Sequence, residues 1–411
     1  MARFIHSADW QLGARFKQFG SKGDVLRKAR LATLRRALEL AQKKTVDAFL
    51  IAGDLFEDNQ VEDSLVATVI DLFREFESVP IYIIPGNHDP ITGPESVWKR
   101  KLFLQSPGHV HVLTEPGVTE IGPDAFLVAS PLQQKLSTID PSLLLVDLAR
   151  SLPSTAIKVG ITHGALAIDG KHQANDFPIA LNAASRAGLD YLAIGHWHNW
   201  LADTDGGRIG MPGTPEPDQF DQSGSGKVAL VEISGPAGQL PKVEPVHVAG
   251  LEWRSLTFDF LSLESSQATV EAAIREISAN AAAVVLRLTL VGATSPGTLE
   301  KTRSRLEELA APFLVAQIVD RTSVSLSEPE LRDLRGRHPI LAHVLSDIDR
   351  LETLATGVAP VSSSEPDFAA ISLAETQEIL ARSKIELSSL SPEFFAKLRQ
   401  VLLQNLQEVA Q

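Results

Sequence analysis

The stretch Ile81-Tyr82-Ile83-Ile84-Pro85-Gly86-Asn87-His88-Asp89 decides how this chain is read. Four apolar, β-favouring residues predict a short buried strand, and Pro-Gly ends it. The turn that follows carries an amide, an imidazole and a carboxylate side by side. Working outward, the same arrangement recurs four times. Arg3–His6 precedes Asp9-Trp10-Gln11, and Ala48–Ala52 precedes Gly53-Asp54. Ile157–Thr162 runs into Thr162-His163-Gly164, and Tyr191–Ile194 into Gly195-His196-Trp197-His198. Ligands in layered α/β folds gather at the carboxyl ends of strands, where loops diverge.

The donors in these clusters are Asp, Asn, Gln and His, and the chain has no cysteine. Oxygen and imidazole ligands suit divalent ions such as Mn²⁺, Mg²⁺ or Zn²⁺ better than a thiolate zinc site. Two such ions about 3.5–4 Å apart can activate a water and neutralise a phosphate. Asp54 is the natural bridging ligand, because one carboxylate offers two oxygens. An isolated Asp after a strand and a Gly is usually a turn residue, and an isolated His163 would be a hydrogen-bonded core residue. Their companions change both readings. His196 and His198, two residues apart in one turn, can each serve a different ion. His6, inside its strand, reads as support rather than a ligand. His109-Val110-His111 has no carboxylate companion and reads as surface.

Composition sets outer limits. The chain has 411 residues, 44% of them hydrophobic, enough for two or three domains. Its formal net charge of −13 argues against coating nucleic acid by bulk charge. From Gln11 to Lys44, however, ten basic residues face two acidic ones. Arg15, Lys17, Lys22, Arg27 and Lys28 are the candidates for steering a polyanion towards the catalytic loop; the alternative is a solvated helix face. No secretory leader and no apolar run near ~18 residues is read, and the absence of cysteine is compatible with the cytoplasm.

The first half alternates strands with helices, the latter at about Val25–Lys44 and Val61–Glu77. It then becomes β-rich through Arg208–Met211, Lys227–Ile233 and Lys242–Val248. This gives a domain over 1–250. A β-α-β-α-β unit follows over 251–355, with strands expected at Leu251–Phe260, Ala283–Val291, Leu314–Ile318 and Ser323–Leu326. Its helices are expected at Gln267–Asn280, Gly297–Ala310 and Glu328–Leu354. A Ser/Pro/Gly-containing linker spans 356–366. The tail, 367–411, reads as two amphipathic helices. Phe395, Leu398, Leu402, Leu406 and Val409 form a stripe in the second that needs a cover, whether a partner or the chain's own domain.

The motif series, above all Ile5-His6-Ser7-Ala8-Asp9-Trp10-Gln11-Leu12-Gly13 and Gly86-Asn87-His88-Asp89, resembles the calcineurin-like metallophosphoesterases, and among them the SbcD-type DNA repair exonuclease subunits. The resemblance is strong over 1–250 and extends to the remainder only by layout. It implies an α/β (α+β) fold: a four-layer β-sandwich of two mixed sheets flanked by helices, with a small α/β cap domain and a helical tail. It also implies two divalent ions, Mn²⁺ first and Mg²⁺ next. Asp9, Gln11, Asp54 and His198 would hold one, and Asp54, Asn87, His163 and His196 the other. His88 would protonate or orient the scissile phosphodiester, with Asp89 fixing its ring. Implied partners are DNA, an SbcC-like ATPase bound by the tail, and a second copy through Val61–Glu77 and Pro94–Gln105. The family usually has His where this chain has Gln11. An amide oxygen is a weaker donor, so the first ion is expected to bind more loosely, down to a single firm site.

Overall fold

A computed structural model describes residues 1–222, 224–235, 239–260, 267–324, 336, 339–356, 394–395 and 398–399. The chain divides into two compact units, Met1–Trp253 and Arg254–Gln411.

The first unit runs β1 (Ala2–Ser7), α1 (Gly23–Lys44), β2 (Ala48–Ala52), α2 (Asp63–Arg74), β3 (Ile81–Ile84), α3 (Lys101–Leu104) and β4 (Val110–Val112). It continues through β5 (Gly117–Gly122), β6 (Ala125–Ser130), α4 (Leu143–Arg150), β7 (Ile157–His163), α5 (Ala183–Ala187) and β8 (Tyr191–Gly195). The unit's last strands are β9 (Leu201–Thr204), β10 (Ile209–Met211), β11 (Lys227–Ile233) and β12 (Lys242–His247). Two six-stranded sheets result, ordered β12-β11-β1-β2-β3-β4 and β5-β6-β7-β8-β10-β9. In the first, β1 to β4 are parallel and β11 joins β1 antiparallel. In the second, β6, β7, β8 and β10 are parallel, and β5 and β9 are antiparallel edges.

Side-chain alternation explains the layers. Phe4, Leu50 and Ile84 of the first sheet meet Leu127, Val159, Ile161 and Ala193 of the second in an inner core. Their neighbours Ile5, Phe49, Ile51 and Ile83 turn the other way, onto Leu34 and Leu38 of α1 and Val66 and Phe73 of α2. On the far side, Val128, Leu192 and Ile194 pack on Leu145 and Ala149 of α4 and on the alanines of α5. The unit is therefore a helix–sheet–sheet–helix sandwich of the mixed α/β class. Strands covered on both faces read as continuous apolar runs, which is why β2 and β3 lie at the bounds their sequences suggest. α1 carries Asp24 in its first turn and Lys43 and Lys44 in its last, as its dipole favours.

Several elements differ from expectation. β4, β5 and β9 are short, edge-proximal strands with weak apolar patterns. His109 and His111 flank or lie in β4 and are half-buried rather than surface residues. His111 stacks on Tyr82 at 4.9 Å, and His109 Nε2 donates to the Phe73 carbonyl at 3.0 Å. His6 is buried between the sheets, where Nδ1 meets the Tyr191 hydroxyl at 2.9 Å, and burial lowers its pKa to about 3.

A three-stranded sheet, β13-β14-β15, organises the second unit. Its first strand, β13 (Glu252–Asp259), starts at the unit boundary. It is followed by α6 (Gln267–Ile277), β14 (Val284–Thr294), α7 (Pro296–Ala310), β15 (Val315–Val324) and α8 (Pro339–Thr356). Phe258, Ile274, Leu286, Leu288 and Leu306 form its core. The two strands expected near 314–326 are one: Asp320, Arg321 and Thr322 stay in register with Leu290, Val291 and Gly292, so pairing with β14 overrides their polarity. The first residues of the helix expected from Glu328, the linker after 356 and the tail up to 393 lie outside the described residues. Within the tail, Phe395 is buried, and Arg399 pairs with Asp349 at 2.7 Å and with Glu352 of α8. That part of the tail packs on its own unit. Leu402, Leu406 and Val409 lie outside the described residues. No helix among the described residues is long and apolar enough to cross a membrane.

Phe4 is fully buried in the inner core. Phe4→Ala should destabilise the first unit by about 3–5 kcal/mol, read as an earlier denaturant midpoint. An unchanged midpoint would contradict the assignment of this cluster as the core that holds the sheets together.

Candidate metal centre

The ends of β1, β2 and β3 in one sheet and of β7 and β8 in the other meet at one edge of the sandwich. Beyond β1, the Asp9 amide donates to the Gly53 carbonyl at 3.2 Å and the Gln11 amide to the Asp54 carbonyl at 3.0 Å. These bonds tie two of the turns together. Asp9, Gln11, Asp54 and His196 all have positive φ, at 53°, 46°, 53° and 129°. Each such residue costs about 1–3 kcal/mol of strain, which persists only where surrounding structure enforces it.

The Asp54 carboxylate is the hub, with the residue 1% exposed. Oδ1 accepts the His88 amide at 2.9 Å, and Oδ2 accepts Gln11 Nε2 at 3.2 Å. His163 Nε2 lies 3.4 Å from the same Oδ2. His163 donates Nδ1–H to the Ala52 carbonyl at 2.8 Å, which turns Nε2 into the centre, 2.8 Å from Asn87 Oδ1. Asn87 Oδ1 is also 2.9 Å from His196 Nδ1, whose ring donates Nε2–H to Asp176 at 2.9 Å. The Asp9 carboxylate accepts the His196 amide at 3.0 Å through both oxygens. Side-chain ligand atoms of Asp9, Asp54 and His163 fall within 4.8 Å of one another.

Two glycines make this approach possible. A Cβ on Gly86 would stand 2.1 Å from Asp54 Oδ1, and one on Gly53 would stand 2.2 Å from His163 Nδ1. Burial pushes the Asp9 carboxyl up. Burial also acts to raise Asp54, but His163 and His88 outweigh it and hold that carboxyl below the usual range. For His163, burial opposes the charge, yet Asp54 and Asp9 raise it to about 9. Two buried carboxylates, an amide oxygen and two aimed imidazoles form a set that a divalent cation satisfies: hard oxygen donors with borderline nitrogens. The donor set thus fits the metal that the sequence implies.

His88 is half-buried at the rim. Its Nδ1–H donates to the Glu57 carbonyl at 2.9 Å. This corrects one expectation: Asp89 does not fix the His88 ring. Its carboxylate is fully buried and accepts the amides of Phe56 at 3.0 Å and Gly86 at 2.8 Å, so it pins the 86–89 turn to the loop after β2. Burial and the Asp54 charge raise its pKa to about 7. His198 stands apart from the other proposed ligands in its bonding. Its Nδ1 meets Gln222 Nε2 at 2.7 Å and lies 3.7 Å from Asp218, although the charge of Asp9 still reaches it.

The basic segment offers fewer free charges than its count suggests. Arg30 is buried, Arg35 pairs with Glu75 at 2.6 Å, and Arg36 donates to the Val248 carbonyl at 2.8 Å. Arg27 pairs with Asp24 and donates to the Arg15 carbonyl at 2.6 Å, while Arg15 lies 3.6 Å from Asp58. Lys17, Lys22 and Lys28 are exposed. Asp176, Asp218, Gln222 and Arg30 touch or back the candidate residues and are not legible as such in the sequence. None follows a strand-and-turn pattern, so only the fold brings them there.

Residues 2–200 match the family described as calcineurin-like phosphoesterase. The chain is similar to the "Uncharacterized metallophosphoesterase YhaO" of Bacillus subtilis (strain 168). The two are 24% identical over 322 residues, 74% of this chain and 75% of that protein. It is also similar to the D subunit of the SbcCD nuclease of Escherichia coli (strain K12), 28% identical over 283 residues, 60% of this chain and 68% of that one. Among solved structures it is similar to TT1561 of Thermus thermophilus, at 13% identity and a TM-score of 0.40. That match covers 60% of this chain and 99% of the other. At that score the likeness adds nothing to the fold read from the two sheets.

Gly86→Ala forces Asp54 out of place, and should weaken Mn²⁺ binding at least roughly 10-fold by calorimetry, comparable with losing a residue that orients a ligand. Unchanged binding would remove Asp54 from the centre.

Proposed function

We propose, from the premise that residues 2–200 are a calcineurin-like metallophosphoesterase domain and hence a hydrolase with divalent metal, that this chain is a metal-dependent DNA nuclease hydrolysing phosphodiester bonds. The observation that carries the reading is the meeting of Asp54, Asn87, His163 and His196 around one another, with Asp9 against them. The similarity to a subunit of a known nuclease supports a nucleic acid as the substrate class, and the resemblance to SbcD-type subunits implies DNA.

In this reading Asp54, Asn87, His163 and His196 hold one ion, and Asp9, Gln11, Asp54 and His198 hold the other, with Mn²⁺ the first choice. When bound, the pair supplies Lewis acidity for a phosphoryl oxygen and a lowered pKa for water. The protein's own groups do the rest. Asp54 holds the 86–89 turn through the His88 amide. The Glu57 carbonyl orients the His88 ring, so a protonated His88 presents Nε2–H to the leaving oxygen. Asp89 acts on this step only through the turn it pins. Lys17, Lys22 and Lys28 are exposed and meet backbone phosphates in this reading, which gives affinity without sequence preference.

Partners follow the same reading: DNA, an SbcC-like ATPase and a second copy of the chain, with a cytoplasmic location. Leu104, 74% exposed at the end of α3, lies in the stretch assigned to self-association. A second reading, a phosphodiesterase acting on small nucleotides, is favoured by the internal bonding of Arg30, Arg35 and Arg36. It needs the same centre but no track for a polyanion.

His88→Ala should lower Mn²⁺-dependent cleavage of labelled linear DNA by about 10²–10⁴-fold while leaving bound metal unchanged. Full activity in that variant would exclude His88 from the chemistry. Replacing Lys17, Lys22 and Lys28 by Ala should weaken DNA binding and flatten its salt dependence, sparing a chromogenic phosphodiester. Equal turnover of both substrates by this variant and the parent would favour the small-nucleotide reading. Gln11→His should tighten Mn²⁺ binding and raise activity; no change in either would show that Gln11 is not a ligand.

A further inference from the structure

Among the proposed ligands, His198 alone is held by a loop that lies outside the family match at 2–200. That loop, residues 213–222, closes on His198 from two sides. The Thr214 amide donates to the His198 carbonyl at 3.1 Å, and a Cβ on Gly213 would stand 2.3 Å from that same oxygen. At the ring, Gln222 Nε2 lies 2.7 Å and Asp218 Oδ1 3.7 Å from Nδ1. The orientation of the Gln222 amide is set by its other bonds. Its oxygen accepts the amides of Asp218 at 2.9 Å and Gln219 at 3.3 Å, and its nitrogen donates to Asp218 Oδ1 at 2.5 Å.

The loop is itself anchored by Arg30 of α1, whose guanidinium is buried with 1% exposure. Arg30 donates to the Trp10 carbonyl at 3.0 Å, the Glu216 carbonyl at 2.9 Å and the Thr214 hydroxyl at 3.4 Å. Its Nη1 lies 3.6 Å from Asp218 Oδ2. One buried cation therefore joins the loop beneath Asp9-Trp10-Gln11 to the loop behind His198. A buried charge this well satisfied is costly to build and costly to break. The fold has a reason to keep it only if the geometry it enforces is used.

We propose that Asp218 is a positioning residue for His198, locked in place by Arg30 and Gln222, and that loop 213–222 sets how firmly the first of two ions is held. The proposal rests on the metal-centre reading above. The chemistry is direct. For His198 Nε2 to serve an ion, the ring proton must sit on Nδ1; Asp218 Oδ1, 3.7 Å away, is the neighbouring carboxylate that would accept it once the two draw closer. With an ion bound, the Nδ1 contact would pass from the Gln222 amide to Asp218, which Gln222 and Arg30 hold alongside. Such a carboxylate behind a ligating histidine fixes the tautomer and raises the donor strength of the ring. It matters more here because Gln11 brings only a neutral amide to the same ion.

The test uses the full chain and Mn²⁺ alone. Calorimetry on the parent should resolve two classes of site. Asp218→Asn, which keeps the side chain's shape, should weaken one class about 10–100-fold and leave the other unchanged. Electron paramagnetic resonance at two equivalents should then change from a spin-coupled pair to isolated Mn²⁺. Gln222→Ala, which leaves Arg30 paired, should weaken the same class with the metal-free melting temperature unmoved. Two unaltered classes in both variants would overturn the proposal. So would equal loss at both sites together with a lowered melting temperature in Gln222→Ala, which marks a merely structural role. A parent chain that binds no Mn²⁺ would overturn the metal centre itself, and the proposal with it.

Discussion

Two carboxylates buried at one point, Asp9 and Asp54, are the constraint around which the first unit is built. Like charges in a dry site repel, and each also loses its hydration. The structure answers with oriented donors: the His196 amide on Asp9, and the His88 amide and the Gln11 side chain on Asp54. His163 stands between them, its outer nitrogen tied to Ala52 so that the inner one faces both acids. Four non-glycine residues at positive φ and two glycines without room for a Cβ are the local consequence. Such strain and crowding persist because the surrounding sandwich leaves no alternative.

The sandwich is what makes the convergence possible. Parallel strands β1, β2 and β3 end side by side in one sheet, and β7 and β8 end side by side in the other. The inner core holds the two sheets face to face, so that turns more than a hundred residues apart share one cluster. Helices α1 and α2 on one outer face and α4 and α5 on the other bury the remaining apolar side chains. In this way hydrophobic packing sets the positions, and the polar turns at the strand ends bring their side chains together.

Much of this is legible in the amino-acid order alone. β2 and β3 lie where continuous apolar runs place them, and the five turns carry ligand types that ordinary turns rarely combine. What stays hidden depends on tertiary contact. Asp176 backs His196 from a loop with no strand of its own. Asp218 and Gln222 lie in a Gly- and Asp-containing stretch that reads as a connection. Asp89 follows His88 directly, which suggests that the carboxylate holds the neighbouring ring, yet its oxygens go to backbone amides instead. Charge counting overstates the basic segment, because a sequence does not show that Arg30 is buried or that Arg35 and Arg36 are already bonded. Phe395 likewise belongs to a stripe that could await a partner, and is covered within its own unit.

The most direct measurement is anomalous scattering at the manganese edge from crystals grown with Mn²⁺. Peaks should lie between the Asp54 carboxylate and Asn87 Oδ1, and between Asp54 and Asp9, at the distances of ligand bonds. A map with strong manganese density elsewhere and none beside Asp54 would contradict the account at its base.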